Sequence, residues 1–292
     1  MGGRIIRRPA RAALTRKVPL LAELPESQAI GGIAEIYREI RVFSGVPYVS
    51  SLQRYLATLP RVLEWAWAAL RPAMVSGLLP ETAWRLAAGL HLRAAEPVTQ
   101  TMLRAWGADA TGLATIRSIA ANFVRVSPVN LLTGACLSLL LTSAAPNGPG
   151  YAQRWTPPEM LPPMPGNIDP AALPEEERAV LMRFATEVDG VPFIPALYRQ
   201  LAHWPALLRW LADEVEPRLQ APETDAARAA FQDAARAAAP SIVAGLSAPH
   251  DVAPPDEVTA QRVRAAIERY AVTSPEMTLF GQLILDALPD NA

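Results

Sequence analysis

The chain has 292 residues, 51% hydrophobic and 19% charged, which is ample for a buried core and sets a length expectation of roughly two domains of ~150 residues. Lys+Arg 27 against Asp+Glu 28 leaves a net charge of -1, so no global basic field exists to hold nucleic acid or an anionic membrane, and neither partner is expected. One cysteine (Cys136), three histidines (His91, His203, His250) and one lysine (Lys17) exclude an internal disulfide, a CxxC redox pair, a thiolate metal cage and a lysine-based phosphate or Schiff-base site in the folded body; neither a metal nor a cofactor is expected.

Alanine, leucine and arginine dominate, β-branched alternation is scarce, and apolar residues recur at three- and four-residue spacing, so the predicted fold class is all-α. Residues 1–19 form a basic tail with Arg4, Arg7, Arg8, Arg11, Arg16 and Lys17 and no acid before Glu23. It lacks the apolar region and small-residue cleavage site of a signal peptide, so a solvated tail on a cytoplasmic protein is expected. A first helical repeat is assigned to 20–145. It ends in NLLTGACLSLLLTSAA (130–145), whose 16 residues, broken by Asn130, Thr133 and Ser138, read as a buried core helix starting near Ser127-Pro128 rather than a membrane span. Residues 146–172 are dense in proline and glycine and predict an extended, semi-rigid strap. Trp155, Met160, Leu161, Met164 and Ile168 suggest that it lies against the body. A second helical repeat is assigned to 173–292, opening on Glu175-Glu176-Glu177, a solvated first helical turn.

Internal repetition is the most informative feature. Gly45-Val46-Pro47-Tyr48 is echoed by Gly190-Val191-Pro192-Phe193, and at the same offset of 145 Leu52, Arg54, Leu56, Pro60, Leu63 and Trp65 match Leu197, Arg199, Leu201, Pro205, Leu208 and Trp210. Nearer the end of each unit, Val126-Ser127-Pro128 with Leu132 and Gly134 answers Thr273-Ser274-Pro275 with Leu279 and Gly281, at an offset of 147. The expected architecture is an internally duplicated helical unit forming a single-chain pseudo-dimer joined by a proline-rich linker, with the ligand site in the cleft between the halves.

Function can appear where the copies differ. Asp189 precedes the second Gly-Val-Pro, and Ser44 stands at the matching place in the first. Both residue types are good helix N-caps and proline is tolerated in a first helical turn, so two caps is the plain reading. The chemical one places Asp189 in the cleft as a base or nucleophile. Asn122 faces Arg269 at the later offset, and its amide suits holding a water, or else ties down backbone near Ser127-Pro128. Asn130 carries the same ambiguity. Arg125, opposite Val272, is a surface ion-pair partner or an attractor of an anionic substrate. Tyr37, Phe43, Phe184 and Tyr270 read as core aromatics, some of which line the cleft.

Taken together, the repeated Gly-Val-Pro-[Tyr/Phe] helix, the segment from Asn122 to Ser127-Pro128, the strap and Asp189 resemble the group I 2-haloacid dehalogenases, the all-helical type acting on both D- and L-enantiomers. The likeness runs from about Leu20 to Leu288. It implies one active site between the halves, where an Asp activates a water that displaces halide from C2 directly, with inversion and no ester intermediate, while an Asn helps position that water. Asp189 stands at the family's Asp and Asn122 at its Asn, with Asn130 the alternative. Val188 stands where the resemblance implies a small hydroxyl residue. The substrate-lining set expected from these readings is Ser44, Tyr37, Arg125, Val188 and Tyr270, and the partner is a small halogenated carboxylate, with a homodimer compatible.

The chemistry needs a base within hydrogen-bond reach of the water, donors for the substrate carboxylate, and a weakly polar pocket for the leaving halide. Two other readings stay open. One is a helical homologue that binds a small organic acid without this reaction; the other is a thiol-independent decarboxylase of the carboxymuconolactone type.

Overall fold

The periodic segments fold as helices in the computed structural model, which describes residues 22–90, 92–142, 146–188, 191–219, 221–248 and 252–289. The first part of the chain forms α1 (Gly31–Ser44), α2 (Ser51–Leu56), α3 (Val62–Val75), α4 (Leu78–Ala88), α5 (Gln100–Ala105) and α6 (Ala110–Leu140). The second forms α7 (Glu175–Met182), strands β1 (Thr186–Val188) and β2 (Val191–Phe193), then α8 (Ala196–Leu201), α9 (Pro205–Glu214), α10 (Glu216–Leu219), α11 (Pro222–Ala244) and α12 (Glu257–Ala287). The described residues are thus mainly helical with one small two-stranded sheet. The tail 1–19 with Lys17, His91, His250 and Asp189 lie outside the described residues, as do the side chains of Glu187, Val188 and Val191.

Three local expectations are corrected. Ser44 is not an N-cap: it is the last residue of α1, and Gly45 at φ 64° closes that helix, its N–H and that of Val46 both reaching the Arg41 carbonyl. That left-handed cap favours glycine because a Cβ would be strained there. Pro192 does not enter a first helical turn, so no helix start follows Asp189 directly. It pairs with Glu187 in the two-stranded sheet, flanked by Thr186↔Phe193 and Val188↔Val191, and α8 begins only after Pro195. Asp189-Gly190 between those strands is a dipeptide favoured in short hairpin connections, and the β-branched residues on either side suit strands. A two-stranded ribbon has only edges, which is why it admits proline.

The third correction concerns Pro128. No helix starts there. Helix α6 runs through it for 31 residues, as α12 runs through Pro275, each capped at its start by an aspartate, Asp109 on the Gly112 N–H and Asp256 on the Thr259 N–H. An internal proline removes one backbone bond and costs ~3 kcal/mol. Val126, Val129, Leu131 and Leu132 beside it are all buried, and each such burial returns about 1.5–3 kcal/mol, so packing outweighs the break.

Helices α6 and α12 pack against each other more extensively than any other pair. Two glycines set their separation: a Cβ at Gly134 would lie 3.0 Å from Ile267, and one at Gly281 would lie 2.9 Å from Val124. Two cores result. One takes the later half of α6 and the earlier half of α12 together with α1–α4 and α11; the other takes the opposite halves with α5 and α7–α9. Among the described residues α6 alone is long and apolar enough to cross a bilayer, and it lies instead among α4, α11 and α12.

One buried ion pair joins α11 to α12. Glu276, 4% exposed, accepts from Arg228 Nη2 at 2.7 Å and from the Tyr198 hydroxyl at 3.2 Å. Removing one partner of such a pair costs about 3–5 kcal/mol because the other charge stays buried. Arg228→Ala is therefore expected to lower unfolding stability by that amount in urea titrations; a loss under ~1 kcal/mol, the worth of an exposed pair, would contradict this account.

Residues 146–169 carry no helix and follow the body closely. Tyr151 donates to the Ile242 carbonyl at 2.8 Å, Trp155 donates to Glu81 at 2.9 Å with its ring 5.9 Å from Trp84, and Leu161 N–H donates to the Gly45 carbonyl at 3.1 Å. Further on, Ile168 N–H and the Arg199 carbonyl pair at 3.2 Å, while Arg199 Nε returns a bond to the Ile168 carbonyl at 3.0 Å. The bonds at Leu161 and Ile168 satisfy backbone that proline-rich chain cannot pair with itself, while Tyr151 and Trp155 anchor it by side chains.

Candidate active site

The site is built outward from Asn122, which sits mid-way along α6 and is 0% exposed. Its Nδ2 donates to the Ser118 carbonyl one turn earlier (2.8 Å) and to the Pro162 carbonyl of the proline-rich segment (3.1 Å). Ser118 Oγ donates to the same Pro162 carbonyl at 3.0 Å. Carbonyl oxygens only accept, so these contacts fix which end of the amide is nitrogen. Oδ1 then faces the other way, buried and without a partner among the described residues. A buried acceptor left in this state is costly unless something donates to it, and a water can.

Arg125 lies nearly one turn beyond. Its Nη1 donates to the Gly45 carbonyl (3.3 Å) and the Glu159 carbonyl (2.7 Å), and burial pulls its pKa below the ordinary arginine value. The guanidinium therefore joins α6 to the end of α1 and the strap, and Trp84 ties α4 to the same turn of α6 by donating to the Arg125 carbonyl at 2.8 Å. It makes no ion pair among the described residues. Its other N–H donors have no hydrogen-bond acceptor among the described residues.

Tyr48 was not singled out by sequence. Its ring packs against Phe123, centroids 6.4 Å apart, and its buried hydroxyl has no hydrogen-bond partner among the described residues. Burial raises its pKa, and the nearby Arg54 charge partly opposes that. The signal was present in the repeat, since Tyr48 differs from its counterpart Phe193 by that hydroxyl alone. Ser118 and Pro162 were also missed, one a helical turn from Asn122 and the other distant in sequence.

The other candidates group around α2. Tyr37, buried in α1, donates its hydroxyl to the Leu24 carbonyl at 3.1 Å, and burial pushes its pKa up to about 12. Tyr270 is half-buried, its hydroxyl bonds to Ser51, and burial followed by the Glu23 charge raises its pKa. Arg54, paired with Glu23 at 2.7 Å, is an electrostatic neighbour of both tyrosines and of Tyr48. Tyr48 thus connects the Asn122 side to the Arg54 side.

Ser44 is buried and borders a cavity of about 30 Å³, room for a single water, with Gln53 and Thr133. Asn130 is committed elsewhere: its Oδ1 accepts from Ser50 Oγ (2.9 Å) and Gln53 Nε2 (3.0 Å). Of Val188 only the backbone, paired with Val191, is described. Among the described residues no group of three His, Cys, Asp or Glu side chains converges to hold a metal.

No protein-family model and no curated protein sequence matches the chain. Solved structures do. A D-2-haloacid dehalogenase mutant in complex with D-2-CPA superposes with a TM-score of 0.68 at 19% identity, covering 96% of this chain and 98% of the other. A D-2-haloacid dehalogenase in complex with L-LA gives 0.69 at 18% identity, again over 96% and 98%. This chain has the D-2-haloacid dehalogenase fold. A further D-2-haloacid dehalogenase mutant matches at a TM-score of 0.65 and 18% identity, over 96% of both chains. In this chain, Asn122, Arg125 and the strap carbonyls that hold them belong to the central helix of that fold and the segment laid across it.

Proposed function

We propose that the protein is a hydrolytic dehalogenase converting 2-haloalkanoic acids to 2-hydroxyalkanoic acids. The carrying observation is the unpartnered, buried Asn122 Oδ1, an acceptor held in one orientation by Ser118 and Pro162. In this reading it receives one hydrogen of a water and aims the oxygen lone pair at C2 of the substrate. Asp189 takes the other proton as the C–O bond forms and the carbon–halogen bond breaks. One water is consumed; halide, a proton and the inverted 2-hydroxy acid leave. Arg125 draws the substrate carboxylate with its free donors, and Ser44, Tyr37, Val188 and Tyr270 complete the lining. The fold shared with D-2-haloacid dehalogenases favours this chemistry over the decarboxylase alternative, while halide release is what separates it from a homologue that only binds an acid.

The same reading holds the chain to be two copies, 20–145 and 173–292, joined by 146–172 into a single-chain pseudo-dimer. Element bounds support it: Ser51–Leu56 recurs 145 residues on as Ala196–Leu201, and Ala110–Leu140 recurs 147 residues on as Glu257–Ala287. The close contact of Gly134 with Ile267 is answered by that of Gly281 with Ala120, and Ala120 and Ile267 are themselves 147 apart.

Incubation with D- and L-2-chloropropionate is the direct test. Expected are one halide per 2-hydroxypropionate, at least from the D-enantiomer named in the structural neighbours and from both if the group I likeness holds. In oxygen-18 water, a single turnover should place label in the product at once. An ester route would first deliver unlabelled enzyme oxygen, and no halide from either enantiomer would end the proposal.

A further inference from the structure

A cavity of about 620 Å³ lies between α6, α11 and α12; Tyr270 of the proposed substrate lining borders it, but Asn122 and Arg125 do not. Its walls are Leu131 and Leu139 from α6, Ala235 and Ala239 from α11, and Ile267 and Ala271 from α12. Small side chains at the meeting of three helices leave the space open. The volume falls within the ~300–1,000 Å³ usual for small-molecule sites, which pair apolar walls with a few convergent polar groups.

Those polar groups are present and are biased toward an anion. Asn130 borders the cavity with its Oδ1 already accepting from Ser50 and Gln53, so its Nδ2 hydrogens are the ones left to donate. Arg236 enters from the α11 wall and Arg264 from the α12 wall, against the single carboxylate of Glu268. Arg236 is bonded to Asp233 at 2.7 Å, and Arg264 to Glu257 at 2.6 Å and to the Leu141 carbonyl at 3.4 Å. Both carboxylate partners are exposed, at 75% and 69%, so the pairs are weak, about 0–1 kcal/mol, and each guanidinium has donors to spare. An apolar body with one negative end fits walls of this kind.

We infer that this cavity is a second ligand site, for an alkanoate of medium chain length whose hydrocarbon lies between the three helices and whose carboxylate is met by Arg236 and Arg264. The inference stands apart from the dehalogenase reading, since its readout is binding of a halogen-free acid.

Isothermal titration of octanoate into the full chain tests it, with octylamine as the cationic control of equal length. Expected are saturable one-to-one binding of octanoate, none of octylamine, and at least about tenfold weaker octanoate binding both in Ala271→Phe, which puts a phenyl ring into the cavity, and in Arg236→Gln/Arg264→Gln, which removes the cations. Each variant is checked by circular dichroism, and if Ala271→Phe does not fold, Ala135→Phe on the facing wall is read instead. Absence of saturable binding overturns the inference. So does binding that survives Ala271→Phe but is lost in Asn122→Ala, which would place octanoate at the candidate active site.

Discussion

Asp189→Asn is expected to abolish halide release, lowering kcat and kcat/KM together by about 10²–10⁴-fold, the contribution of a positioned general base. The amide keeps the shape of the side chain but cannot take a proton from water, so the loss falls on the transition state and leaves KM nearly unchanged. Steady-state kinetics on D-2-chloropropionate reads both constants. Turnover equal to that of the unsubstituted protein would show that another group deprotonates the water, even if the dehalogenase activity itself is real.

Asn122→Ala carries the next largest effect, on two readouts. Removing the amide takes away the acceptor proposed to orient the water, for an expected loss of about 10²-fold in kcat, or roughly 2.7 kcal/mol of barrier at 1.36 kcal/mol per tenfold. It also removes one of the two donors to the Pro162 carbonyl, Ser118 keeping the other, so stability should fall by about 0.5–1.5 kcal/mol. Asn130→Ala is the discriminating comparison. Its Oδ1 is already saturated by Ser50 and Gln53, so it should lose stability with kcat changed less than threefold. A reversed pattern, with Asn130→Ala inactive and Asn122→Ala near normal, would move the water to the other amide.

The two alanine variants show how far spacing alone could go. Sequence placed both asparagines near Ser127-Pro128 and could not separate them, because the distinction lies in partners 40 or more residues away: Pro162 for Asn122, Ser50 and Gln53 for Asn130. Arg125 is similar. An arginine on a helix defaults to a surface ion pair, and only the strap laid beside Gly45 makes it a half-buried tie between carbonyls. Tyr48 differs from Phe193 at the matching sequence position by a hydroxyl, and nothing in the sequence alone says that this hydroxyl is buried without a partner among the described residues.

Helical character and the non-helical course of the proline-rich segment were legible in the chain because each follows from local chemistry: side-chain periodicity, and proline's fixed φ and missing donor. Where helices would end was not. Local rules start a helix at Pro128 and another at Pro192, yet burial carries α6 straight through the first, and cross-strand pairing draws the second into a two-stranded sheet. Those outcomes, and the orientation of the Asn122 amide, were decided by contacts between distant segments, whose energies exceed the local preferences they override.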